Sequence, residues 1–200
     1  IEYSDGRCES FKASAVGYLE ELLSVSLDDA EKTLIIKLLK YIQSAERYFN
    51  SASMFEQDKI ASLIEQYKQY DLLFGKLRTD NTVTATLRNA IRSVCFNLSA
   101  SARIRFYLNE SFTGQITVSF AGKTACYNIK NGLCEGYDYF EIVMPAPSIN
   151  ESITVNDGTN TITYGLNTYA TAMNGIDDEL DDMLICLSEY SSAAEAYVNR

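Results

Sequence analysis

The sequence predicts an α+β fold: N-terminal helices, then an antiparallel β meander or sandwich of about seven to eight strands, then a C-terminal helix. Two changes of hydrophobic period predict this order. Apolar residues recur at helical spacing over residues 1–75, alternate with polar residues over 76–166, and return to helical spacing over 167–200. We expect these three segments to fold as one compact unit, with the last helix packed on the rest.

Composition and charge narrow the class of protein. The 200 residues are 46% hydrophobic and 22% charged, which is typical of a folded domain that buries a core. The net charge of −10 argues against nucleic acid as a partner, because a polyanion is bound by a surplus of basic residues.

No apolar stretch approaches the roughly 20 residues of a membrane-spanning helix, so no membrane insertion is expected. The chain starts at Ile1 without a signal-peptide pattern, so we expect a fragment of a larger protein.

Three helices are predicted in the first segment, over about 11–23, 28–50 and 55–70. The first includes Phe11 in its apolar stripe. Asp28 stands where the second helix needs an N-cap, since a carboxylate there accepts hydrogen bonds from free backbone N–H groups. The last segment repeats this plan with a short helix over 169–173 and a long one over 177–198.

The middle segment alternates apolar and polar residues, as strands with one buried face do. The predicted inward-facing sets are Val83/Ala85/Leu87, Val94/Phe96/Leu98, Ile104/Phe106/Leu108, Ile116/Val118/Phe120 and Ala125/Tyr127/Ile129. A turn at Ala121 and Gly122 would pair Val118 with Ala125. Turn residues at Asn131 and Gly132 predict another reversal before a strand over 137–144.

Two further expectations concern the end of the β segment. Pro145 and Pro147 predict a short, stiff, extended connection. A tight turn at Asp157 and Gly158 would place Ile153 opposite Ile162 in the next hairpin.

The end of the chain echoes its beginning. At an offset of 149 positions without a gap, nine residues of the second helix are identical in the last helix. The matched residues are Asp28, Asp29, Ile36, Leu38, Tyr41, Ala45, Glu46, Tyr48 and Asn50 with Asp177, Asp178, Ile185, Leu187, Tyr190, Ala194, Glu195, Tyr197 and Asn199. Amphipathic patterning alone does not require tyrosine, glutamate and asparagine at matched positions, so we interpret the echo as an internal repeat. The repeated tyrosines are expected to be structural.

These two helices, Leu38 to Phe49 and Leu187 to Tyr197, resemble the "LLNYGAAAQ-Y-F" helix of large, multi-module surface and secreted proteins of gut Gram-positive anaerobes. The strands from Val94 to Leu108 are similar to those between two such helices. The chain departs from the pattern at Ile42 and Ser191, where the family has glycine. The resemblance implies an extracellular or cell-surface location and a modular role without catalytic residues. Because some gut commensals engage host proteins with such surface proteins, it also implies a host protein, such as an immunoglobulin, as a partner.

The chain has no histidine, which removes Ser-His-Asp and Cys-His catalysis and the commonest metal ligand. No phosphate-binding glycine loop or nucleophile motif is present. We therefore predict no catalytic residues, no cofactor and no metal site. The enzyme class that stays open is a glycosidase with two carboxylates, drawn from Glu135, Asp138 and Glu141.

An acidic run opens the last helix, and it allows two interpretations. Its members are Asp177, Asp178, Glu179, Asp181 and Asp182. A calcium site would use several carboxylates, but the run lacks the spacing of an EF-hand loop. We favour a helix cap.

Five cysteines at irregular spacing do not form a disulfide framework. Cys126 and Cys134 flank the turn at Asn131 and Gly132. In a simple hairpin there, Ile129 pairs with Cys134, so Cys126 lies on the opposite face and no bridge forms. A bulge at Gly136 would reset this arrangement.

Arg103, Arg105 and Tyr107 are predicted to share the face of one strand that points away from the core, and they form the candidate partner-binding patch. The alternatives are that helices cover this face or that it is ordinary solvated surface. Fourteen tyrosines without a tryptophan favour protein contact over carbohydrate stacking, although carbohydrate stays open as a ligand. The predicted function is a non-catalytic binding or adhesion module that contacts a protein partner, either a host protein or a neighbouring module. The alternatives are a passive spacer, a carbohydrate-binding module or the carboxylate glycosidase.

Overall fold

The computed structural model describes residues 14–25, 27–49, 56–74, 77, 90–98 and 101–200. The helices are α1 (Ala15–Ser24), α2 (Asp29–Tyr48), α3 (Gln57–Gln66), α4 (Leu166–Met173) and α5 (Asp178–Val198). The strands are β1 (Ile91–Leu98), β2 (Ala102–Leu108), β3 (Gly114–Phe120), β4 (Lys123–Ile129), β5 (Tyr139–Met144), β6 (Ile153–Asn156) and β7 (Thr161–Tyr164). The predicted α+β fold class is confirmed. The predicted strand with Val83, Ala85 and Leu87 lies outside the described residues, as does Phe11.

Local signals in the sequence set where the long helices begin. Asp28 accepts a hydrogen bond from the backbone N–H of Glu31, and the Glu31 side chain accepts one from the N–H of Asp28. This reciprocal capping box satisfies two backbone donors that have no partner inside the helix. Asp177 also caps α5, where its Oδ1 accepts the backbone N–H of Leu180 at 2.9 Å. The preference for a cap over a calcium loop at Asp177 agrees with this contact.

The strands form two antiparallel sheets, with strand orders β1-β2-β5 and β4-β3-β6-β7. Their inner faces share one core, as in a sandwich. The Phe140 ring of one sheet stacks at 5.0 Å from the Tyr127 ring of the other. Val118 pairs with Ala125 across the turn at Ala121 and Gly122, as predicted.

Two predictions about the end of the β segment are wrong. Val155, not Ile153, pairs with Ile162, because the loop between β6 and β7 has four residues rather than two. Asp157 widens the loop, since its Oδ1 accepts the N–H groups of Thr159 at 2.9 Å and Asn160 at 2.7 Å. The register shift is two residues, so Ile162 keeps its inward orientation.

The connection between the prolines is not purely extended either. Residues Ala146–Ser148 form a 3-10 turn, which leads the chain to Asn150. Asn150 Nδ2 donates to the Ser188 carbonyl at 2.9 Å, and the Ser188 hydroxyl donates back to its Oδ1 at 2.9 Å. The Asn150 N–H donates to Ser191 Oγ at 3.3 Å. This turn therefore fastens the sandwich to α5.

The two matched helices, α2 and α5, pack against each other in antiparallel orientation. Near the middle of both helices, Lys37 of α2 contacts Glu189 of α5 at 2.7 Å. Glu31, near the start of α2, lies 3.4 Å from the hydroxyl of Tyr197, near the end of α5. One face of α2 also closes a smaller helical core with α1 and α3, which includes Ile36 and Leu39. Thus α2 lies between the N-terminal helices and the remainder of the chain. Within the described residues, no helix has both the length and the apolar character to cross a membrane.

Candidate functional site

The outer face of the three-stranded sheet carries the side chains that the sequence predicts as a binding patch. Because paired residues of neighbouring strands share a face, the register defines which side chains stand together. We call this surface the arginine face. Its central row is Arg103, Arg105 and Tyr107 on β2. Opposite them stand Val143, Glu141 and Tyr139 on β5, and Asn97, Cys95 and Ser93 on β1.

Arg105 is the centre of this face and is held on three sides. Its guanidinium donates to Glu141 Oε1 from Nε at 2.9 Å and from Nη2 at 2.7 Å. Nη1 donates to the Tyr107 hydroxyl at 3.2 Å. The guanidinium carbon lies 4.2 Å from the centroid of the Tyr139 ring, which is within the range of a cation–π contact. The Arg105 side chain is therefore ordered before any ligand arrives.

Glu141 joins both arginines into one cluster. Its second oxygen, Oε2, lies 3.3 Å from Arg103 Nη1, and Arg103 Nε donates to the Ser101 hydroxyl at 2.8 Å. Two guanidinium groups against one carboxylate leave the cluster with a single surplus positive charge. The hydrogen bonds from Arg105, aided by those from Arg103, hold the pKa of Glu141 below its usual range. The hydrogen bonds to Tyr107 and Glu141 raise the pKa of Arg105, which keeps the guanidinium charged.

The arginine face is partly open to solvent. The side chains of Arg103 and Arg105 are 37% and 26% exposed, and Val143 is 53% exposed. Tyr137, just before β5, is 60% exposed, and its ring packs 5.5 Å from that of Tyr139. Arginine, tyrosine and valine side chains thus form one accessible surface on the outer face of this sheet. This openness disfavours the alternative in which helices cover the face.

The three carboxylates considered for glycoside hydrolysis are engaged separately. Glu141 is bound to the two arginines, and Asp138 lies 3.7 Å from Arg92. Glu135 is exposed on a turn, where its φ of 50° is left-handed. A general acid needs a carboxyl group with a raised pKa, whereas the pKa of Glu141 is lowered.

A cleft of about 220 Å³ lies between the end of α2, β1 and the two C-terminal helices. Tyr48, Phe96, Tyr169 and Met183 are among the residues that line it, and no lining residue carries a carboxylate. The cleft therefore does not provide the paired acids of a glycosidase.

The cysteines beside the Asn131 turn lie in different environments. Cys126 is exposed on β4, whereas Cys134 is buried in the sandwich core, and both thiols are free. The prediction that the two side chains lie on opposite faces is confirmed. Burial raises the pKa of Cys134.

The sequence predicts the part of the arginine face that lies on β2 but does not predict Tyr139. It offers Glu141 only as a possible acid, not as the carboxylate that orders Arg105. Both residues lie on β5, more than 30 positions along the chain from Arg105. Only the pairing of β2 with β5 brings them together, and no local pattern in the sequence predicts that pairing.

No known protein-family model matches this chain, and no curated protein or solved structure matches it significantly.

Proposed function

We propose that this chain is a non-catalytic binding module of a bacterial surface or secreted protein, and that it docks a host protein through the arginine face. The observation that carries the proposal is the fixed Arg105 side chain, held by Glu141, Tyr107 and Tyr139 on an accessible sheet face. The extracellular setting rests on the resemblance of the two matched helices to modules of such proteins.

Pre-organisation favours binding because a mobile arginine loses side-chain freedom when it is immobilised in an interface, at a cost of about 0.5–1.5 kcal/mol. In this chain the ordering of Arg105 occurs on folding. Arginine and tyrosine are also the residue types that most often dominate the binding energy of protein interfaces. The surplus positive charge favours a partner surface that offers a carboxylate next to apolar or aromatic groups.

The chemistry of the same residues supports a role without catalysis. Glu141 is ionised and fully engaged by arginines, so it is suited to positioning Arg105 rather than to transferring a proton.

The test is binding of purified immunoglobulin, and of proteins from mucosal secretions, to the immobilised chain. We expect the wild-type chain to retain a protein, and Arg105→Ala to weaken its binding at least about tenfold. Tyr107→Phe removes only the hydroxyl and is expected to weaken binding less. Lys68→Ala, an exposed change on the helical side of the molecule, is the matched control and should bind as the wild type does.

Circular dichroism of each variant separates loss of binding from loss of folding. Retention of no protein by the folded wild type would support a passive spacer instead. Binding that persists in folded Arg105→Ala would show that another surface is used.

A further inference from the structure

The strand β4 lies at the edge of its sheet in the part of the chain that the structure describes, with β3 on one side. Five of its seven residues are exposed, namely Lys123, Thr124, Ala125, Cys126 and Asn128. Proteins normally protect an edge strand with several charges, a proline or a bulge, because its free backbone groups can pair with another strand. β4 has one charge, at its first residue, and neither a proline nor an irregular register.

The register with β3 identifies which backbone groups of β4 point outwards. Phe120 and Lys123 flank the two-residue turn. In such a turn the carbonyl of Phe120 accepts a hydrogen bond from the N–H of Lys123. Bonded and non-bonded pairs alternate from there, so Thr117 and Cys126 form a non-bonded pair. The N–H and C=O groups of Cys126 therefore point away from β3. The same holds for the residues two positions away on each side, Thr124 and Asn128.

Side-chain contacts agree with this assignment, since side chains stand closer together in non-bonded pairs. The Ser119 and Thr124 hydroxyls are 3.0 Å apart, and Thr117 Oγ1 lies 3.8 Å from Cys126 Sγ. Both contacts lie on the outer face of the sheet, opposite the core.

We propose that the edge of β4 pairs with the β4 edge of a second copy of this chain, antiparallel and centred on Cys126. Cys126 is the middle residue of the seven in β4, so a two-fold axis there superimposes the whole strand on itself. Cys126 then faces Cys126 of the second copy, and Thr124 faces Asn128 of the second copy. Three residues on each copy exchange N–H and C=O groups, which makes about six backbone hydrogen bonds.

The occupant is a second copy because the strand is complementary to itself. In this register Lys123 faces Ile129 of the second copy, so no two like charges stand opposite each other. Ala125 faces Tyr127 of the second copy on the inner side, which covers an apolar side chain that is exposed in one copy alone. The two four-stranded sheets become one continuous sheet, and the contact closes on itself as two-fold interfaces do. This inference is independent of the proposed function, since the arginine face lies on the other sheet.

One strand edge buries less surface than the roughly 1,600 Å² of a standard stable interface, so we expect the dimer to dissociate on dilution. Sedimentation velocity over a wide range of chain concentration measures this equilibrium. Cys126→Pro removes the outward N–H and leaves the β3–β4 ladder intact, because that N–H takes no part in it. We expect this variant to be folded and monomeric, whereas Cys126→Ser keeps the dimer.

Charge variants test the register without proline. The double variant Thr124→Lys with Asn128→Lys places lysines opposite each other across the two-fold axis and is expected to be monomeric. Its matched control, Thr124→Lys with Asn128→Glu, places opposite charges there and is expected to remain dimeric. A wild-type chain that stays monomeric at every concentration overturns the proposal. So does a dimer that survives in folded Cys126→Pro or in the lysine–lysine variant.

Discussion

Tyr41 of α2 stacks on Tyr190 of α5, with ring centroids 6.2 Å apart and ring planes 7° from parallel. These two residues are also matched to each other by the 149-residue offset between the helices. Since the helices run antiparallel and a matched pair meets at the contact, an approximate two-fold axis passes near the two rings. Each helix therefore uses the same face to bind the other, and the contact is closed in the manner of a symmetric dimer interface.

We expect the two tyrosines to contribute a measurable coupling energy to folding. Tyr41→Leu and Tyr190→Leu keep apolar volume but remove the stacking, so the double variant should lose less stability than the two single losses added. The expected coupling energy is about 1 kcal/mol. It is measured from the free energies of unfolding in urea of the wild type, the two single variants and the double variant. Tyr18→Leu is the control, because Tyr18 is 63% exposed and its change should be nearly neutral. Strictly additive losses would contradict the stacking.

Lys37 is the second element of the α2–α5 contact, and its replacement should be strongly destabilising. Its side chain is 1% exposed and lies 2.6 Å from Asp71 and 2.7 Å from Glu189. Lys37→Met fills the same space but leaves two partly buried carboxylates without their shared cation, for which we expect a loss of about 3 kcal/mol. Lys68→Met removes an exposed ion pair with Glu65 and should leave stability unchanged. A neutral result for Lys37→Met would show that its carboxylates are well solvated.

Asp71 makes part of this stability depend on pH. Burial opposes ionisation of its carboxyl group, but hydrogen bonds from Lys37 and Lys40 outweigh that effect and lower its pKa. A carboxyl group with a lowered folded-state pKa stabilises the fold fully above the unfolded-state pKa, which is about 3.9 for aspartate. As the pH falls below that value the stabilisation decreases, and it is lost once the pH is below the folded-state pKa.

The measurement is the free energy of unfolding of wild type and Asp71→Asn from pH 7 to about pH 2, a range that extends below the unfolded-state pKa of aspartate. We expect Asp71→Asn to be less stable at pH 7, because the amide bears no charge for the two lysines. The difference between the two proteins should stay constant down to about pH 4 and shrink below it, because the lowered pKa of Asp71 keeps its carboxylate charged until then. A difference independent of pH would mean that Asp71 acts through packing alone.

The features that the sequence predicted are those that neighbouring residues determine. Asp28 and Glu31 cap α2 within one turn of helix, and the left-handed residues Ala121 and Gly122 define the β3–β4 register. The β6–β7 register also depends on neighbouring residues, but its prediction is wrong because the hydrogen bonds of Asp157 favour a four-residue loop over a tight turn at Asp157 and Gly158.

The candidate site was predicted only on its own strand. Alternation along β2 placed Arg103, Arg105 and Tyr107 on one face, but Glu141 and Tyr139 come from a strand distant in sequence. Strand order in a sheet depends on long-range packing of the core rather than on the pattern of any single strand. For the same reason, the sequence predicts that the last helix packs on the rest of the chain but not that Tyr41 meets Tyr190.

Gly132 and Gly122 are a matched pair of glycines. Comparing them separates the effect of a left-handed backbone from the effect of steric crowding around an added Cβ atom. Both adopt left-handed φ values, 72° and 71°, in two-residue turns. A Cβ atom on Gly132 would lie 2.6 Å from the Glu110 Cα and 2.8 Å from the Asn109 carbonyl oxygen, whereas a Cβ on Gly122 would meet nothing within 4 Å. Gly132 is held at this close approach because its N–H donates to the Phe112 carbonyl at 3.0 Å.

We expect Gly122→Ala to lose about 1 kcal/mol of unfolding free energy from left-handed strain alone. Gly132→Ala adds a clash with backbone that cannot rotate away, so its loss should be larger by about 2 kcal/mol. Urea denaturation followed by tyrosine fluorescence measures both. Equal losses would mean that the turn at Asn131 can move away from Glu110. In that case the turn would not be fixed against the segment that follows β2, and burial of Cys134 would have to depend on the rest of the core.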